Sequence, residues 1–180
     1  MVLRTIPDFP QLELCRLEEV RASAGPAAVL DTDRSSEPVL LALAESMGSR
    51  LVVPEVWREL LPQAGLLISS AISGGSLRQR FLEAAARSPR RCWLLLEPMR
   101  MEFPLPCPTG VGTETTMVHA GKQFFSEDLC CQYTHFVRNG SGTMVLWDTE
   151  DTLQKKLALA RECGFLGFVY TGVPIQEIPS

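Results

Sequence analysis

The sequence of 180 residues predicts an α/β fold built on a mostly parallel sheet. Three observations lead there. Short, continuous apolar runs recur along the chain, the pattern of strands covered on both faces. Segments with helical periodicity separate these runs, which is the order of βα units. One stretch, Met101 to Trp147, interrupts the alternation with β-rich sequence and reads as an insertion before the last helix and strand.

Taken in order, the candidate strands are Val2 to Ile6, Ala27 to Asp31, Arg50 to Val53, Gly65 to Ile72, Cys92 to Glu97 and Phe165 to Tyr170. A helix from about Pro38 to Met47 follows Ser35, Ser36 and Glu37; proline suits its first turn and Gly48 stops it. SGGSLRQRFLEAAARSP holds the next helix. Ser76 and Gln79 fit a capping box, Leu77, Phe81 and Ala84/Ala85 form one apolar stripe, and Pro89 follows the end. In WDTEDTLQKKLALARECG, Asp148 is placed to cap the first turn, with Glu150 and Asp151 opposing the positive end of the dipole. Leu153, Leu157 and Ala160 face inward, and Gly164 supplies the left-handed stop. The interrupting region contains FPLPCPTGVGTETT, a short helical signal around Ser126 to Cys130, and two β-rich runs, QYTHFV and GTMVLW. RNGSG joins these runs as a hairpin, with Asn139, Gly140 and Gly142 supplying the positive φ angles of a tight reversal.

An apolar fraction of 46% can build one sizeable core, so a single domain over 1–180 is expected, with 101–147 as an inserted subdomain. The net charge of −4 leaves no basic stripe to neutralise phosphates, which argues against a nucleic-acid partner. Arg87 to Arg91 and Lys155/Lys156 read as solvated surface. Neither a signal peptide nor a membrane-spanning apolar run is visible, so a cytoplasmic protein without a membrane partner is expected. The six cysteines contain no C-x-x-C pair. Reduced thiols, several of them buried, follow from that, with no metal and no cofactor expected.

The stretch GTMVLWDTEDTLQKKLALARECGFLGFVYTG resembles the end of a family 18 glycoside hydrolase, the chitinase-like (β/α)8 barrels. There, an inserted β-rich subdomain ends in a strand like VLWD, an acidic helix start leads to a Lys-bearing helix, and Gly164 and Gly167 match the glycines around the final strand. FFSEDLCCQYTHFV also resembles the inserted subdomain of bacterial, spore-associated members. The resemblance implies that Phe165 to Tyr170 is the eighth strand and, counting back, that Ala27 to Asp31 is the fourth. With only residues 1–26 before Ala27, the expected architecture is a reduced or open (β/α) barrel of about six mostly parallel strands. Open parallel edges would favour a homodimer.

The fourth strand of that family carries D-x-x-D-x-D-x-E. Laid against it without gaps, Ala28 takes the first aspartate's place, Asp31 and Asp33 match the second and third, and Ser35 stands where the proton-donating glutamate belongs. A serine hydroxyl cannot serve as that acid, and Glu37 lies two residues too late. The sixth strand lacks the family's M-x-Y-D, reading ISSAIS instead, and the last strand offers Tyr170 in place of the tryptophan that floors the sugar. The implied function is a non-catalytic, glycosidase-like protein with a binding or assembly role for a carbohydrate. Ser70, Ser73, Gly74, Gly75, Ser76 and Tyr170 are its candidate ligand-binding residues.

A second reading, from a different class, is an enzyme acting on a sugar-like or phosphorylated small molecule. Asp31 and Asp33 resemble the D-x-D of haloacid-dehalogenase-like phosphotransferases, without the glycine and threonine that should follow. Glu97 sits where a strand ends, a position that often faces ligand in barrels. Ser73 to Ser76 lies between a strand and a helix, where backbone N–H groups and the dipole favour an anion. On this reading Asp31, Asp33 and Glu97 act as acids or metal ligands and the Ser73 to Ser76 loop holds the anion, whereas Glu37 is a candidate only as a substitute for the glycosidase proton donor in a remodelled loop. His119 and His135 lie far apart, and Cys107 is a lone candidate thiol.

Overall fold

A computed structural model describes residues 6–116 and 122–172. In chain order its elements are β1 (Gln11–Leu12), β2 (Ala27–Ala28), α1 (Glu37–Met47), β3 (Leu51–Pro54), β4 (Gly65–Ser69), α2 (Leu77–Arg87) and β5 (Cys92–Leu96), followed by β6 (Arg100–Leu105), β7 (Thr113–Glu114), β8 (Phe124–Ser126), β9 (Cys131–Arg138), β10 (Ser141–Trp147), α3 (Glu150–Glu162) and β11 (Phe168–Tyr170). A parallel sheet of six strands runs β1-β11-β5-β4-β3-β2, and a separate antiparallel sheet runs β7-β6-β10-β9-β8.

The parallel sheet curls until its two edges meet. Leu14, two residues beyond β1, bridges Ala28 of β2 in parallel. The Cys15 N–H donates to the Ala28 carbonyl at 2.8 Å. The result is a reduced barrel, and with both edges engaged the edge-pairing argument for a dimer loses its basis. The strand expected at Val2 to Ile6 falls on residues 1–5, outside the described residues, apart from Ile6. Ile6 bridges back to Phe9 through a turn in which Asp8 has φ 61°, and β1 forms only after it.

Alternation along each strand sorts the side chains into two layers. Leu12, Ala28, Val52, Leu67, Trp93, Leu95 and Val169 point into the barrel. Val53, Leu66, Ile68, Leu94, Leu96 and Phe168 point outward into the core, beneath Leu40 and Leu43 of α1, Leu77 and Phe81 of α2, and Leu153 and Leu157 of α3. Each such buried side chain contributes about 1.5–3 kcal/mol. Burial on both faces explains why the strands read as unbroken apolar runs.

Trp93 sets the interior spacing. A Cβ at Gly167 would lie 2.4 Å from the Pro10 carbonyl oxygen and 2.5 Å from the Trp93 ring, so only glycine lets β11 approach that closely.

Several local expectations need correction. The signal around Ser126 to Cys130 is a turn between β8 and β9 rather than a helix, ending on Cys130 at φ 53°. The β9–β10 hairpin turns on Asn139 and Gly140, at φ 51° and 79°. Gly142 instead lies within β10, where a Cβ would sit 3.2 Å from Leu105. Ser76 accepts the Gln79 N–H at 3.4 Å, but the Gln79 amide turns to Glu83, so the reciprocal half of that box is absent. The cap of α3 is Thr149, in a box with Thr152.

Asp148 is instead buried against Lys156, with Oδ2 and Nζ 2.7 Å apart and both side chains at 0% exposure. Lys156 is therefore not the solvated residue its neighbour Lys155 is. The inward stripe 153, 156, 157, 160 includes it, and the ion pair with Asp148 compensates its charge.

A cleft between the barrel mouth and the inserted sheet

β4 and β5 deliver their carboxyl ends to one side of the barrel, and the antiparallel sheet leaves from there. Between them lies a cleft of about 780 Å3. The loop after β4 (Ala71, Ile72, Ser73), the loop after β5 (Glu97, Pro98, Met99), the β6 residues Arg100, Met101 and Phe103, and the segments around Gly110 and Glu114 line it. Ser73 Oγ donates to the Gly110 carbonyl at 2.9 Å, joining the barrel loop to the inserted segment across the rim.

Glu97 is the position where the barrel interior opens into this cleft. It follows Trp93 and Leu95 on the inward face of β5, and inward-facing Ser69 of β4 donates its hydroxyl to Glu97 Oε2. Ser69 Oγ in turn accepts the Ala71 N–H at 3.1 Å. The Glu97 N–H donates to Ser70 Oγ at 3.2 Å, so buried Ser70 holds the backbone and does not line the cleft.

The other carboxylates singled out by the sequence lie elsewhere. Asp31 Oδ1 accepts the Asp33 N–H at 2.8 Å, Oδ2 accepts the Ser36 hydroxyl at 2.6 Å, and the Asp31 carbonyl accepts Trp57 Nε1 at 2.7 Å. Asp33 accepts the Ser35 N–H at 2.9 Å and caps the turn leading into α1. That backbone bond, helped by the Ser35 hydroxyl, holds the Asp33 carboxyl below the usual carboxylate range. Glu37, on the first turn of α1, has its Oε2 3.9 Å from Arg34 Nη1, and Arg34 lies over the Trp57 ring. None of the three lines the cleft. Both aspartates hold the start of a helix, the work that Asp does at such positions in any βα unit.

Of the Ser73 to Ser76 loop, only Ser73 reaches the cleft. Gly74 and Gly75 form an exposed turn, Ser76 is engaged as the cap of α2, and the Leu77 N–H donates to the Asp128 carbonyl of the inserted sheet at 2.7 Å. Tyr170 lies on the outer face of β11, against the main core. Its hydroxyl has no hydrogen-bond partner among the described residues, and burial, with the charge of Asp148 second, pushes its pKa up.

His135 is exposed and stacks with Phe124 and Tyr133, at ring separations of 5.7 and 6.5 Å. His119 lies outside the described residues. All six cysteines are free. Burial pushes Cys92 to about 11 and Cys131 to about 12. Among the described residues no three His, Cys, Asp or Glu side chains come together as a metal site, and no helix is long and apolar enough to cross a membrane.

Sequence reasoning missed the cleft's apolar wall and the anchor behind it. Asp148 Oδ2 accepts the Met99 N–H at 2.9 Å, and the Asp148 N–H donates to the Met99 carbonyl at 2.8 Å. The buried ion pair thus fixes a cleft-lining residue to α3. The inward periodicity of α3, which includes Lys156, is the signal that could have found it.

No family model matches the sequence, and no curated protein matches it. Solved structures do. The Bacillus cereus spore cortex-lytic enzyme SleL superposes with a TM-score of 0.56 at 12% identity, over 83% of this chain and 45% of that one. The Bacillus megaterium QM B1551 spore cortex-lytic enzyme SleL gives 0.52 at 10%, over 86% and 47%. A chitinase from Chromobacterium violaceum ATCC 12472 gives 0.56 at 10%, over 90% and 66%. The chain spans about half the length of the two SleL enzymes. At these identities the likeness is one of fold, and the fold is glycosidase-like.

Proposed function

We propose that this protein is a non-catalytic, family 18-type relative of the glycosidases that binds a carbohydrate in the cleft between barrel mouth and inserted sheet. The cleft itself carries the reading. It sets half-buried Met101, backed by the buried Phe103, beside a carboxylate, Glu97, and so offers a surface for a sugar's C–H face next to an acceptor for its hydroxyls. The engagement of Asp31 and Asp33 at the start of α1, with Ser35 in the proton donor's place, supports binding without hydrolysis. On this reading residues 101–147 are an inserted subdomain of one domain and supply the outer wall. The bacterial neighbours support a bacterial origin, and the six free thiols support a reducing, cytoplasmic setting. The phosphotransferase reading has no comparable support, because both oxygens of Asp31 are engaged locally.

Titration with amino-sugar oligosaccharides, followed by isothermal calorimetry and by product analysis, tests this. Binding without cleavage is expected. Absence of any binding, or cleavage that disappears on Glu37→Gln, would overturn it.

A further inference from the structure

We propose that Glu97 selects the ligand of this cleft, and that the site takes a glycan bearing free amino groups, a glucosamine oligomer, in preference to its N-acetylated counterpart. The inference rests on the glycan-binding reading above. Glu97 is a carboxylate at the floor of a cleft, and no lysine or arginine among the described residues pairs with it. Its orientation is nonetheless fixed. Ser69 Oγ accepts the Ala71 N–H, which leaves the Ser69 proton for Glu97 Oε2, and Ser70 holds the Glu97 backbone. No described side chain pairs with the second carboxylate oxygen. Glu114, on the facing segment, lacks an ion pair among the described residues as well.

An oriented, partly desolvated carboxylate without a counter-ion is completed best by an ammonium. A charge-assisted hydrogen bond is about twice as strong as a neutral one, and removing an acetyl group turns the sugar's amide into such a donor. An anionic sugar would meet Glu97 with like charge. Arg100 also lines the cleft and makes no ion pair with Glu97 or Glu114, so the lining carries two carboxylates against one guanidinium and stays net negative. Met101, backed by the buried Phe103, is left to pack on the C–H side of the ring.

The test compares a glucosamine tetramer, an N-acetylglucosamine tetramer and a uronic-acid oligomer by calorimetry, at a pH where the amine is protonated. We expect about tenfold tighter binding of the glucosamine tetramer than of the acetylated one. The preference should vanish in Glu97→Gln and shrink in Ser69→Ala, which keeps the carboxylate but loses its positioning. In the unmutated protein the preference should also fall on going from about 50 mM to about 500 mM salt, a measurement independent of how the variants fold. Equal binding of both tetramers, or a preference that survives Glu97→Gln, overturns the role of Glu97 and leaves the glycan reading standing. Preference for the uronic-acid oligomer also overturns it, and binding of none of the three overturns both.

Discussion

Lys156→Met is the most informative single perturbation of the fold. The substitution keeps the length of the aliphatic stem and removes a fully buried charge whose Nζ lies 2.7 Å from Asp148 Oδ2. Asp148 would keep the Thr152 hydroxyl at 2.9 Å and the Met99 N–H at 2.9 Å, but its carboxylate would stay buried without a cation. Removing one partner of such a pair costs about 3–5 kcal/mol. That is about a fifth or more of the stability of a typical domain. For a chain of this size it lowers Tm by about 6 to 20 °C. Because Asp148 also holds Met99, glycan affinity should fall in the same variant. Urea unfolding followed by tryptophan fluorescence measures the loss. The double variant Asp148→Asn with Lys156→Met, in which no charge is left behind, should recover at least half of it. A loss below about 1 kcal/mol in the single variant, or a double variant no better than the single, would refute the claim that this ion pair fixes Met99 to α3.

Gly167→Ala should destabilise the protein by about 1–3 kcal/mol, because the new methyl meets the Pro10 carbonyl oxygen at 2.4 Å and the Trp93 ring at 2.5 Å; a thermal melt measures it. Asp31→Ala removes the acceptor of the Asp33 N–H and the Ser36 hydroxyl. It should cost about 1–2 kcal/mol of stability in urea while leaving glycan affinity unchanged in calorimetry. For the cysteines, burial raises Cys92 and Cys131 to about 11 and about 12, which lowers their thiolate fraction at any given pH. At pH 8 only about one Cys131 in ten thousand is ionised, against about a quarter of ordinary thiols. Brief alkylation of the folded protein should therefore label Cys15 and Cys107 and spare Cys92 and Cys131, as read by peptide mass spectrometry.

The legible part of the fold was the part written in contiguous residues. The strands at Ala27, Leu51, Gly65 and Cys92 stand where continuous apolar runs mark them, and the Asn139–Gly140 turn sits where its positive φ requirement is met. The Ser126 to Cys130 signal misled because five residues carry too little periodicity to separate a turn from a helix. Asp148 read as a cap because an acid before a helix usually is one, and only Lys156 and Met99, eight and forty-nine positions away, give its carboxylate different partners. The candidate site divided in the same way. Glu97 was legible as a strand-end carboxylate, whereas the engagement of Asp31 and Asp33 at the helix start and the apolar wall of Met101 and Phe103 were not.

By itself the sequence determined the alternation of strand and helix, the β-rich interruption and the Asn139–Gly140 turn, since each depends on residue types within a few positions of one another. Tertiary structure alone decided that Leu14 meets Ala28 and closes the sheet, that Lys156 is buried, and that the cleft opens beside Glu97 rather than beside Asp31. These outcomes depend on which distant side chains share one low-dielectric interior. No local pattern encodes that.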